Sequence, residues 1–168
     1  ILAKNNFTNS GDVSAGADVT LSGNTINLGG RISSNNNVRV VSANSASISG
    51  DLAAVGFLSV NAGPLDVTGT VSSRGKLTLT SSGGARLAET SLVVSDDDVD
   101  IGAISVDVRG QVSSKKSLAV AVNEAAFISG KAAVGDHLAL KALRADVSGS
   151  LVSNGTIKFD TSGDQSIS

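Results

Sequence analysis

Apolar residues recur along this chain at fixed offsets from a small residue, and the whole pattern repeats. Aligned on Gly-x-(Val/Ile/Leu), the repeats start at Gly11, Gly30, Gly50, Gly69, Ser91, Gly110, Gly130 and Gly149, with steps of 19, 20, 19, 22, 19, 20 and 19 residues. The third position reads Val13, Ile32, Leu52, Val71, Val93, Val112, Ala132 and Leu151. The ninth reads Val19, Val38, Leu58, Leu77, Val99, Leu118, Leu138 and Ile157, and the eleventh Leu21, Val40, Val60, Leu79, Ile101, Val120, Leu140 and Phe159. Positions nine and eleven flank a single, usually polar residue, the period of two of a strand with one buried side. Many of these sites carry β-branched residues, which suit a pleated surface. The Ala-rich stretch from Ala119 to Ala126 invites a helix, but it stands in register with strand positions of the other repeats.

A unit of about 20 residues is too short to bury its own apolar side and must stack on copies of itself. Helical repeats need roughly 33 residues or more and propeller blades roughly 40. The Asn or Cys ladder of leucine-rich repeats is missing. The expectation is an all-β fold: one parallel β-helix over residues 1–168, of about eight coils of roughly 19–20 residues, with residues 1–10 a partial preceding coil. Each coil holds two or three short strands, and the end coils are the weakest part of the stack.

Composition narrows the function. The chain has no Trp, Tyr, Met or Cys and four Phe, so the core is left to Val, Leu, Ile and Ala. The 19 Gly and abundant Ser, Asn and Asp mark frequent turns. Without cysteine there is no disulfide framework and no thiol chemistry. The apolar runs are too short for a membrane helix, and a net charge of −2 gives no reason to expect a nucleic-acid partner.

The segments Gly69-Thr70-Val71-Ser72-Ser73 with Leu77-Thr78-Leu79, and Gly50-Asp51-Leu52-Ala53-Ala54 with Leu58-Ser59-Val60-Asn61-Ala62, carry a family resemblance. Gly-x-Val-Ser-Ser or Gly-x-Leu-Ala-Ala, then Leu-x-Leu, resembles the filamentous haemagglutinin repeat, here over residues 11–168. The resemblance implies a right-handed β-helix in a very large exoprotein of the two-partner secretion pathway. Such a protein passes through an outer-membrane transporter, stands at the bacterial cell surface with adhesive or toxin-delivery modules on its shaft, and serves cell adhesion and virulence through host receptors or glycans. The family's Asn-Pro-Asn-type secretion signature is absent, so the expectation is an interior shaft segment with no enzymatic activity and no cofactor.

The turn after position four gathers the candidate chemistry. It carries Asn35, Asn36 and Asn37, then Arg74 and Lys76, then Asp96, Asp97 and Asp98, then Lys115 and Lys116, then Asp136 and His137. Stacked coils bring alternating charges to one edge, which reads first as a solvated ladder. Its alternative is a glycan-binding strip built on Arg74, Lys76, Lys115 and Lys116. Asp96, Asp97, Asp98 and Asp100 are oxygen-rich enough to raise calcium, but the Asp-x-Asp-x-Asp-Gly loop is missing. His137 has no neighbouring nucleophile pattern and reads as an exposed turn residue. The 22-residue step predicts a local bulge over Ser81 to Glu89, around Gly83-Gly84. Asn6-Phe7-Thr8 and Asn154-Gly155-Thr156 match a glycosylation acceptor pattern.

Overall fold

A computed structural model of the chain describes residue 3 and residues 5–168; residues 1, 2 and 4 of the expected partial coil lie outside the described residues. The molecule is a parallel β-solenoid of three strands per coil, and the described residues contain no helix. The first face stacks eight strands, from Val13–Ala15 through Arg31–Ser34 to Ser150–Ser153. The second face starts each strand at position nine, for example Leu58–Ala62, Leu77–Ser81 and Val99–Ala103. The third holds Leu65–Val67, Gly84–Leu87, Ser105–Val108 and Ala125–Ile128, and runs from Asn6–Asn9 up to Gln165–Ile167. Counting that lowest strand, the chain makes about nine turns. In two early coils the second and third strands run together as Val19–Leu28 and Val38–Ile48.

Strand alternation puts one side of every coil inward. In Leu77–Ser81, Leu77, Leu79 and Ser81 are buried while Thr80 is exposed. Register then lines like positions up the stack: Leu58, Leu77, Val99, Leu118 and Leu138 form one column, at most 3% exposed. The buried apolar core consists of Val, Leu, Ile and Ala. Phe7 and Phe159 pack partly against it near the two ends, and Phe57 and Phe127 point out at 45% and 50% exposure. The same inward strand positions recur in every coil and leave no irregular centre that an aromatic ring would fill.

The three corners use different chemistry. Where the third strand turns into the first, Gly30, Gly50, Gly69, Gly110, Gly130 and Gly149 stack in a column. No described glycine has positive φ, so backbone freedom is not the reason. A Cβ on Gly130 would overlap the Gly110 carbonyl oxygen and the Arg109 carbonyl of the coil below. The column is a close approach of backbone to backbone.

Between first and second strands, serines that end the first strand join glycines such as Gly56, Gly75 and Gly135 at the corner. Ser114 Oγ donates to the Asp97 carbonyl at 2.6 Å and accepts the Lys116 N–H at 3.1 Å, satisfying the turn from inside. Ser34, Ser95 and Ser153 accept the N–H two residues on in the same way.

Between second and third strands the corner alternates in length. Register aligns Val19 with Val38 but Ile26 with Ala46, so the second coil carries one more residue there than the first. The next pairs Val38 with Leu58 and Ala46 with Leu65, returning to the short form. The alternation continues through Leu77 to Ala85, Val99 to Val106 and Leu118 to Ala126. Ser42 and Ser81 sit buried at two of the long corners, and each donates to carbonyls of its own coil and of the coil below.

The bulge expected around Gly83-Gly84 falls elsewhere. Gly84 pairs in register with Ser105, and the corner before it is an ordinary long one. The two surplus residues of the 22-residue step lie between Leu87 and Leu92, where the Ser91 N–H closes a tight turn on the Ala88 carbonyl at 2.9 Å. That turn brings Ser91, not glycine, to the column. Alignment on glycine alone could not separate an extra residue at one corner from two at another.

Candidate functional site

The charged edge forms as the repeat register requires. Each turn between first and second strands sits over the corresponding turn of the coil below. Lys115 Nζ lies 2.8 Å from Asp96 Oδ1, and Lys116 Nζ lies 2.7 Å from Asp97 Oδ1. Lys76 Nζ reaches the second face instead, 2.5 Å from Asp100 Oδ2. Among the described residues no ion pair involves Arg74. Of the four cations expected to meet a glycan, three already face carboxylates.

Titration follows this pairing. The hydrogen bond from Lys116, then that from the Asp98 N–H, holds the Asp97 carboxyl below its ordinary value. Lys116 is raised by its hydrogen bond to Asp97 and by that charge, and Lys76 likewise by Asp100.

The four aspartates each do separate work. Asp96, Asp97 and Asp100 pair with lysines, and Asp98 Oδ1 accepts the Ser117 N–H of the next coil at 3.1 Å. Among the described residues no three acidic or histidine side chains converge on a metal-sized site. Asp98 belongs to a column of acceptors. Asp18 accepts the Asn37 N–H at 3.1 Å, Asn37 Oδ1 accepts the Phe57 N–H at 3.0 Å, and His137 Nδ1 lies 3.3 Å from the Thr156 N and 3.0 Å from its hydroxyl. Exposed His137 is a fastener between coils. Asn6 and Asn154 are exposed.

A second feature lies on the third face, where no site was expected. Its outward positions place Asp66, Arg86, Asp107, Phe127 and Asp146 in one column on successive coils. The parallel column, Ser45, Pro64, Gly84 and Ser105, has small side chains, and a groove of about 660 Å³ opens over it. Phe127 closes one end. It also lines a depression of about 490 Å³ shared with Glu89, Arg109 and Asp146, and one of about 140 Å³ shared with Arg144 and Asp164. The arginines are paired: Arg86 with Asp66 and Arg109 with Asp107, both at 2.9 Å, and Arg144 with Asp164 at 4.0 Å. The residue preceding inward-facing Ile128 must face outward; Phe127 was legible as the aromatic in that column, though not the groove beside it.

No protein family, no curated protein and no solved structure matches this chain.

Proposed function

We propose that this chain is a shaft segment of a large secreted bacterial surface adhesin, exported through an outer-membrane transporter and holding attachment modules away from the cell. The observation that carries the reading is the uninterrupted parallel pairing of all three faces through successive coils. Every coil is tied to the next by three strands, so a load along the axis is shared among many backbone hydrogen bonds. With coils ~4.8 Å apart, eight give a stiff spacer of roughly 40 Å. The filamentous haemagglutinin-like motifs at Gly50 and Gly69 supply the secreted, cell-surface setting. The role is mechanical, not catalytic, and takes no cofactor. The turn-edge alternative, direct contact with a host receptor or glycan, is less favoured because Lys76, Lys115 and Lys116 already pair with aspartates.

The test displays a binding module on a cell surface through this segment and measures adhesion to beads carrying its ligand. Adhesion should fall when the segment is exchanged for a Gly/Ser linker of about 50 residues, whose r.m.s. span of ~40 Å equals the rod's, because a flexible coil fluctuates about that distance and folds back whereas the rod holds it. Equal adhesion with the linker would sink the shaft reading.

A further inference from the structure

We infer that the third face is a binding site for an uncharged linear polysaccharide, with Phe127 as the ring on which one sugar stacks. The surface has three properties that together select this ligand. It is long: the depressions that meet at Phe127 run from Ser45 to Gln165, six coil steps or roughly 29 Å. It offers a flat aromatic in the open, since Phe127 is 50% exposed between Asp107 and Asp146 on the neighbouring coils. The π face is electron-rich and attracts the slightly positive C–H face of a pyranose ring. Around that platform, carboxylates and guanidiniums supply the acceptors and donors that sugar hydroxyls require.

The charges exclude other polymers. Asp66, Glu89, Asp107, Asp146 and Asp164 outnumber Arg86, Arg109 and Arg144 along the grooves, and each arginine already faces an aspartate. A sulfated or uronic chain, or a nucleic acid, would be repelled and would have to break those pairs. An extended peptide gains affinity by adding a strand to a free sheet edge. The strands under the groove are paired on both sides within the stack, so they present no such edge. The small column of Ser45, Pro64, Gly84 and Ser105 leaves room for a ribbon-like chain to lie along the axis, sugar by sugar at about the coil spacing.

The experiment titrates the ¹⁵N-labelled chain with cellohexaose, mannohexaose and chitohexaose, and with a heparin hexasaccharide as the polyanionic probe. At least one uncharged hexasaccharide should give saturable amide shifts at Gly84, Ser105, Phe127 and Asp146. Phe127→Leu keeps the bulk but removes the π face and should weaken binding about tenfold, the scale of one lost aromatic contact. Phe127→Tyr should retain binding, and Phe57→Ala, at the opposite corner edge, should leave it unchanged. The inference is overturned if none of the three uncharged sugars shifts the third face at millimolar concentration, if Phe127→Leu binds as the parent does, or if heparin alone shifts these residues. None of these results bears on the adhesion measurement that tests the shaft.

Discussion

The glycine column shows how a single residue type can be fixed by distance, not by dihedral freedom. Gly130→Ala puts a methyl into the backbone of the coil below and should cost about 1–3 kcal/mol as overpacking, or more if the corner cannot shift. Gly102→Ala is its control: a Cβ there meets only the Ala121 carbonyl oxygen, at 4.0 Å. It should be neutral or slightly stabilising, through the unfolded chain's lost freedom. Thermal unfolding followed by circular dichroism separates the two, and equal losses would refute the close-approach account. At the charged edge, the Asp97 carboxyl sits low because Lys116 and the Asp98 N–H bind its ionised form. A lowered acid stabilises the fold above its unfolded value of about 3.9 and loses that contribution as pH falls through the folded value. The raised Lys116 acts in the opposite sense: its contribution is present below an unfolded value of about 10.4 and is lost as pH rises past the folded one. Carboxyl ¹³C titration should show Asp97 ionising early, and Lys116→Ala should move it part of the way back, with the Asp98 N–H retaining the rest. The alternation of charges was readable from residue numbers alone. Lys76 turning to Asp100 was not, because side-chain reach across a corner is invisible to register.

At the scale of one strand or corner, the inward positions were plain in the sequence because a period of two shared by eight copies leaves no competing assignment. Corners were harder. Position five reads Ala15, Ser34, Ala54, Ser73, Ser95, Ser114, Val134 and Ser153, which looks like loose preference. The structure gives it a physical reason: a hydroxyl there ties the turn to the coil below, and a methyl fills the same space without doing so. The Ala88–Ser91 turn leaves a buried hydroxyl untied. Ser91 is 2% exposed, and among the described residues its hydroxyl is a buried side-chain group without a hydrogen-bond partner. An unpaired buried hydroxyl costs about 1–3 kcal/mol. Ser91→Ala should therefore raise the unfolding midpoint. A fall would mean the hydroxyl has a partner in solution.

Over the whole molecule, stability depends on having a coil on either side. Leu138, Leu140 and Val147 are each 1% exposed, whereas Ile157 and Ile167, one coil later, are 41% and 57% exposed. In the 168-residue segment by itself, amide exchange should thus be fastest in residues 150–168 and slowest near Leu58 to Leu118, with protection falling stepwise away from the middle coils. Uniform protection along the stack would show that it opens as one unit. The architecture was legible because the repeat is long and regular. The third-face groove was not, since it arises from small residues being adjacent on four different coils, and smallness at Ser45, Pro64, Gly84 and Ser105 carries no signal until the coils are laid side by side.

The alternating corner also sets how such a rod can change length. A short coil of 19 residues and a long one of 20 make a unit of 39 that begins and ends on the same kind of corner. Loss or duplication of 39 residues inside the stack restores every neighbour relation at the splice. Loss of a single coil sets two like corners on one another, a contact that no two adjacent coils among the described residues make. Recombination between repeats should then be tolerated in pairs, so that lineages carrying such rods would differ by even numbers of coils, in increments of roughly 10 Å.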